Sequence, residues 1–112
     1  LDFRESNTAI VSKFPGIPIL PTFGNNDGLY NYVPPGGNNT EQYKEPLMAS
    51  LYSSWFHSVP ANEDYLMGMK LGELVEFQDN FLNGGYYVYN LTTSLTIISI
   101  NTLYWNEWNN FE

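Results

Sequence analysis

Pro18-Ile19-Leu20-Pro21-Thr22-Phe23-Gly24-Asn25-Asn26-Asp27 is an apolar run that breaks at a glycine and then turns polar. It reads as a short strand, Ile17 to Phe23, ending in a tight turn that carries an asparagine amide at its tip. Such a strand holds a side chain rigidly at the edge of a sheet, where open α/β folds bind ligands. Pro18 and Pro21 cannot donate ladder hydrogen bonds, so this strand is expected to pair imperfectly or to lie near an edge. Taken alone, Asn25-Asn26-Asp27-Gly28 has the ordinary composition of a turn. Upstream, residues 5–14 read as the end of a helix with Ile10, Val11 and Phe14 on one face, stopped by Pro15-Gly16.

Downstream, residues 24–45 are expected to form a long loop rich in Gly, Asn and Pro, a length that in a compact domain usually signals function or mobility. A helix is expected from about Pro46 to Ser58. Leu47, Met48, Leu51, Tyr52, Trp55 and Phe56 recur there at helical spacing, and proline suits a first helical turn. Residues 61–69 give no clear signal. A second helix is expected within 70–82, with Leu71, Leu74, Val75, Phe81 and Leu82 on one face and Asn83-Gly84-Gly85 as its stop. Two strands follow, about 86–90 and 95–101, joined by a turn over Leu91 to Ser94. Leu95, Ile97, Ile98 and Ile100 form a nearly unbroken apolar run, as expected of a strand covered on both faces.

The chain has 112 residues, enough for one domain with a modest core, and its nine tyrosines, seven phenylalanines and three tryptophans argue against disorder. Four basic and twelve acidic residues give a formal net charge of −8. That balance disfavours nucleic acid, whose binding is dominated by cationic contacts to phosphate. No apolar run approaches the ~20 residues of a membrane span, so no transmembrane segment is expected. There is no cysteine, which removes disulfides and thiolate metal sites. Two acceptor sequons, Asn38-Asn39-Thr40 and Asn90-Leu91-Thr92, make Asn38 and Asn90 candidate glycosylation sites. The first residue is Leu1 and no signal peptide is present, so the chain is expected to be a processed or truncated piece of something longer.

Two blocks stand about sixty residues apart: Thr22-Phe23-Gly24-Asn25-Asn26-Asp27, and Gly84-Gly85-Tyr86-Tyr87-Val88-Tyr89 leading into Leu95 to Thr102. Their order and spacing resemble the calcineurin-like metallophosphoesterases, in the branch of the acid sphingomyelinases and endopolyphosphatases. The resemblance covers nearly the whole chain, but only the middle of such an enzyme. It implies a partial segment of a four-layer α/β/β/α sandwich, so that residues 1–112 are a single incomplete segment of a larger domain. In the family a strand ends in Gly-Asn-His-Asp/Glu. Gly24, Asn25 and Asp27 match, and Asn26 stands where the histidine usually stands. The resemblance implies that Asn25 binds a metal and Asn26 contacts the substrate phosphate. An amide can donate a hydrogen bond but cannot give up a proton near neutral pH, so a general-acid role does not carry over to Asn26.

The implied cofactors are two divalent metal ions, zinc above all. Two metals about 3.5–4 Å apart clamp a phosphoryl group and supply hydroxide. The implied function is metal-dependent hydrolysis of a phosphodiester or polyphosphate, in a secreted, lysosomal or vacuolar setting. The upstream Asp-x-His and Gly-Asp blocks and the downstream histidine blocks of the family are missing. The chain alone is therefore expected to be inactive, and to be held by the rest of its parent, by a companion chain or by copies of itself. The alternative is a non-catalytic module for glycan binding or self-association, suited to a chain rich in aromatic and amide side chains. Tyr104, Trp105 and Trp108 could stack on a sugar or lipid headgroup, or simply pack against sequence outside this segment. His57, the one histidine, reads as a helix-end residue favoured by the helix dipole. Glu41, Glu45, Glu63, Asp64, Glu73 and Glu76 read as solvated acids, and Asn101 ends the core strand near the expected site.

Overall fold

A computed structural model describes the backbone of residues 3–24 and 41–105. The aromatic stripe builds the core. Helix α2, Glu41–Tyr52, runs directly into one π-helical turn, Ser53–His57. Met48, Leu51, Tyr52, Trp55 and Phe56 are buried along this stretch, and Leu47 packs beside them, as the spacing predicts. The helix starts five residues earlier than expected, so Pro46 lies inside it and Glu41 to Glu45 leave the long loop. Proline forfeits one helical hydrogen bond there, and its exposed position spares the core from the defect. The turn closes through the Ser58 N–H, which donates to the Ser53 carbonyl five residues back at 3.0 Å.

Residues that gave no signal, 61–69, contain helix α3, Pro60–Met67. Pro60 occupies its first turn, and its inward residues are Asn62 and Leu66. A stretch with so little apolar content offers no stripe to read. Helix α4, Leu71–Gly84, turns Phe77 and Phe81 into the core, with Leu74 packed against it. Leu71, Val75 and Leu82, expected on the same face, are exposed. Phe77 defines the true face: positions 74, 77, 81 and 84 recur at helical spacing. Helix α1, Phe3–Lys13, also departs from expectation, since Ile10 and Phe14 are exposed and Asn7 is its buried residue. α1 docks on the π-turn through a polar contact, the Asn7 amide donating to the Ser54 carbonyl.

Strands β1, Tyr87–Thr92, and β2, Leu95–Ser99, form an antiparallel hairpin with Val88 opposite Ile98 and Tyr89 opposite Ile97. Alternation sends Tyr87 and Tyr89 inward and leaves Val88 and Ile98 outside. Phe56 is fully buried at the centre, edge-on to Phe77, Phe81 and Tyr87 at ring separations of 5.1, 5.3 and 5.1 Å. Such edge-to-face pairs add about 0.5–1.5 kcal/mol each to the burial itself. Among the described residues the architecture is thus helices packed on one face of a two-stranded sheet, α/β in the general sense.

Two expectations are corrected here. Ile17 to Phe23 forms no strand, because its prolines cannot donate and its polar groups are met by side chains instead. Leu95, Ile98 and Ile100 are not covered on both faces by the described residues: they are 48%, 68% and 54% exposed, and the described helices form a layer on the inner face.

Candidate functional site

The segment that leads to Gly24 is held by point contacts. The Asn62 side chain, fully buried, accepts from the Ile19 N–H at 3.2 Å and donates to the Ile19 carbonyl at 2.6 Å. Two bonds to one residue are what a hydrogen-bonded pair exchanges in an antiparallel ladder. One amide thereby substitutes for a neighbouring strand. Its Nδ2 also donates to the Trp55 carbonyl at 2.8 Å. With the Asn7 contact to Ser54, two carbonyls of the π-turn accept from buried asparagines.

Further along, the Pro21 carbonyl accepts from the Tyr87 hydroxyl at 2.5 Å and from Ser99 Oγ at 3.5 Å. Tyr87 and Ser99 are cross-strand partners, so Pro21 lies over the inner face of the hairpin. Burial pushes the Tyr87 hydroxyl up to about 12 and keeps it a proton donor. Thr22 Oγ1 then donates to the Ile100 carbonyl at 3.2 Å, and Phe23 is buried edge-on to Trp55.

At this point the two sequence blocks meet. Gly85 caps α4 in the left-handed conformation, φ 71°, its N–H donating to the Phe81 carbonyl at 2.8 Å. A Cβ at Gly85 would lie 3.3 Å from Asn101 Nδ2, 3.5 Å from the Phe23 ring and 3.6 Å from the Met48 methyl. Gly84 makes room for a different group, the Tyr86 ring, which would come within 2.6 Å of a Cβ there. Asn101 joins the pieces: its amide donates to the Gly84 carbonyl at 3.2 Å and accepts from the Leu103 N–H at 3.1 Å. Phe23, Gly85 and Asn101 thus form one junction, and Gly24 extends from it.

Asn25, Asn26 and Asn38 lie outside the described residues, as does Trp108. Asn90 is exposed on β1, its Oδ1 accepting from Thr96 Oγ1 at 2.9 Å. His57 is exposed at the end of the π-turn, edge-on to Tyr52 with ring centres 5.2 Å apart. Glu45, Asp64, Glu73 and Glu76 are exposed and Glu63 is half-buried. Among the described residues no group of three His, Cys, Asp or Glu side chains could hold a metal ion. A single amide oxygen at position 25 falls short of the three or more protein ligands of a catalytic zinc centre. The described residues therefore do not assemble one. Asn62, which holds the approach to Gly24, and Asn7, which docks α1 on the π-turn, carried no signal in the sequence: Ile19 lies 43 residues from Asn62, and Ser54 lies 47 from Asn7.

No helix among the described residues is long and apolar enough to cross a membrane. No protein-family model, curated protein or solved structure matches the chain.

Proposed function

We propose that this chain is a segment of a metal-dependent phosphoesterase acting on phosphodiester or polyphosphate bonds, within the four-layer sandwich of the calcineurin-like family. One observation carries the reading: the blocks at 18–24 and 84–101, far apart in sequence, converge on Phe23, Gly85 and Asn101. Two motifs of one site are expected to share a location, and a chance pair is not. In this reading Asn25 supplies a neutral oxygen to one of two divalent ions, zinc above all, without repelling the phosphate. Asn26 donates a hydrogen bond to a phosphate oxygen. The remaining metal ligands come from outside these 112 residues, so the chain alone does not turn over.

The test is hydrolysis of bis(p-nitrophenyl) phosphate and of polyphosphate by the longer protein that carries this sequence, at limiting zinc. Asn25→Ala should lower the rate at least about tenfold, since even outer-shell changes cost 10–100-fold, while the thermal midpoint stays put. Asn26→Ala should raise KM with metal still bound. A parent that hydrolyses neither substrate, or an Asn25→Ala protein with unchanged turnover, overturns the assignment.

The second reading, a non-catalytic binding or assembly module, draws on the open outer face of the hairpin, where Val88, Ile98 and Ile100 are exposed.

A further inference from the structure

A groove of about 680 Å³ lies between α3, α4 and β1, lined by Asp64, Glu73 and Glu76 together with Tyr65, Met69 and Phe77. No lysine or arginine lines it. Val88 and Asn90 form its β1 wall. The Asn90 N–H donates to the Tyr65 hydroxyl at 2.9 Å, so it points away from β2. Along an antiparallel strand, residues alternate between exchanging bonds with the partner strand and pointing outward. Val88, two positions earlier and opposite Ile98, therefore directs its N–H and carbonyl the same way. Tyr65 satisfies Asn90, and among the described residues nothing satisfies the outward pair of Val88.

An acidic groove and an open strand edge thus face one space. The edge is a template for an extended backbone. The carboxylates select a cationic one, because charge complementarity steers the encounter and rejects like charge. The segments at 25–40 and 106–112 do not supply this occupant. Residues 25–40 and 106–112 contain no lysine or arginine, and a second copy would bring a further net charge of −8.

We propose that this groove docks an extended, lysine- or arginine-bearing segment of another polypeptide, which adds to the free edge of β1 as a third strand. Val88 supplies the backbone pair. Asp64, Glu73 and Glu76 receive basic side chains at alternate positions, about 6.8 Å apart along an added strand. Tyr65, Met69 and Phe77 receive the apolar parts. The inference stands independently of the phosphoesterase reading.

The probe is a fluorescent eight-residue peptide of alternating lysine and valine, titrated against the 112-residue chain and followed by anisotropy. Saturable binding is expected, weakening as salt is raised, together with slowed amide exchange at Val88. Glu73→Gln with Glu76→Gln should weaken binding at least about tenfold. Val88→Pro should remove only the outward donor, because proline is tolerated where the N–H faces away from the ladder. Circular dichroism then checks the hairpin. If that variant does not fold, the same peptide methylated on alternate backbone nitrogens decides the matter, since it keeps the charge and loses the ladder. Equal binding by the methylated peptide, or by a glutamate–valine counterpart, overturns the proposal. So does a double variant that binds as well as the parent chain.

Discussion

Truncating Asn62 would remove the side-chain bonds it makes to three backbone groups: the Ile19 N–H, the Ile19 carbonyl and the Trp55 carbonyl. An unsatisfied buried group costs about 1–3 kcal/mol, and relaxation admits water to some of the three. Asn62→Ala should therefore destabilise the chain by about 2–4 kcal/mol, a loss of roughly 10 °C or more in Tm for a domain this size. Asn62→Asp is the sharper variant. It keeps the acceptor for Ile19 and removes both donors, so it should fall well short of wild type although the shape is unchanged. A midpoint within a degree or two for either variant would mean that Ile19 is held by something else. Tyr87 does comparable work from the hairpin, its hydroxyl fixing the Pro21 carbonyl.

At the level of elements, the Gly84-Gly85 pair ends α4 and opens the hairpin, with a separate demand on each glycine. Gly85→Ala would force a Cβ into the left-handed region and against Asn101, at a cost of about 1–2 kcal/mol. Gly84→Ala meets only the Tyr86 ring, which is 41% exposed and can swing aside. Urea midpoints should therefore rank Gly85→Ala as the more damaging change, and the reverse order would contradict the cap. These elements were legible because their signals are local: a glycine stop, a stripe at three- and four-residue spacing, an alternating strand. The segment at 17–23 was misread as a strand because apolar residues spaced by prolines look like one. Its hydrogen bonds go to the side chains of Asn62, Tyr87 and Ser99 and to the Ile100 carbonyl, 43 to 78 residues away, which no local pattern reveals. Helix α3 was missed for want of a stripe. The run from Leu95 to Ile100 suggested burial on both sides, and the described residues cover one.

For the whole molecule, the core titrates as a set of tyrosines. Burial raises the pKa of Tyr52, Tyr87 and Tyr89, with Tyr87 at about 12. The Tyr52 hydroxyl has no partner at hydrogen-bonding geometry, and nearby Gln78 offsets only part of its burial. A raised tyrosine favours the neutral form in the folded state. Its contribution is fully present below the unfolded value of about 10 and is lost as pH rises through the folded value. Unfolding midpoints should hold steady to about pH 10 and decline toward pH 12. Tyr87→Phe should start lower, lacking the bond to Pro21, and decline less steeply. A wild-type profile that stays flat to pH 12 would contradict the raised values. The site was less legible than the core, because what the sequence suggested was a motif, whereas what brings its two blocks together is the bonding of Tyr87 and Ser99 to Pro21 and of Thr22 to Ile100, with Asn62 holding Ile19 behind them. Those anchors also set a positional tolerance. A ladder is periodic, and a strand in one can slip and still pair. The approach to Gly24 is pegged at Ile19, Pro21 and Thr22 by chemically different groups, an amide, a phenol and a hydroxyl, so no shifted register satisfies all three. Gly24 is thereby indexed to better than the ~3.3 Å of one residue, by atoms set back from it along the chain.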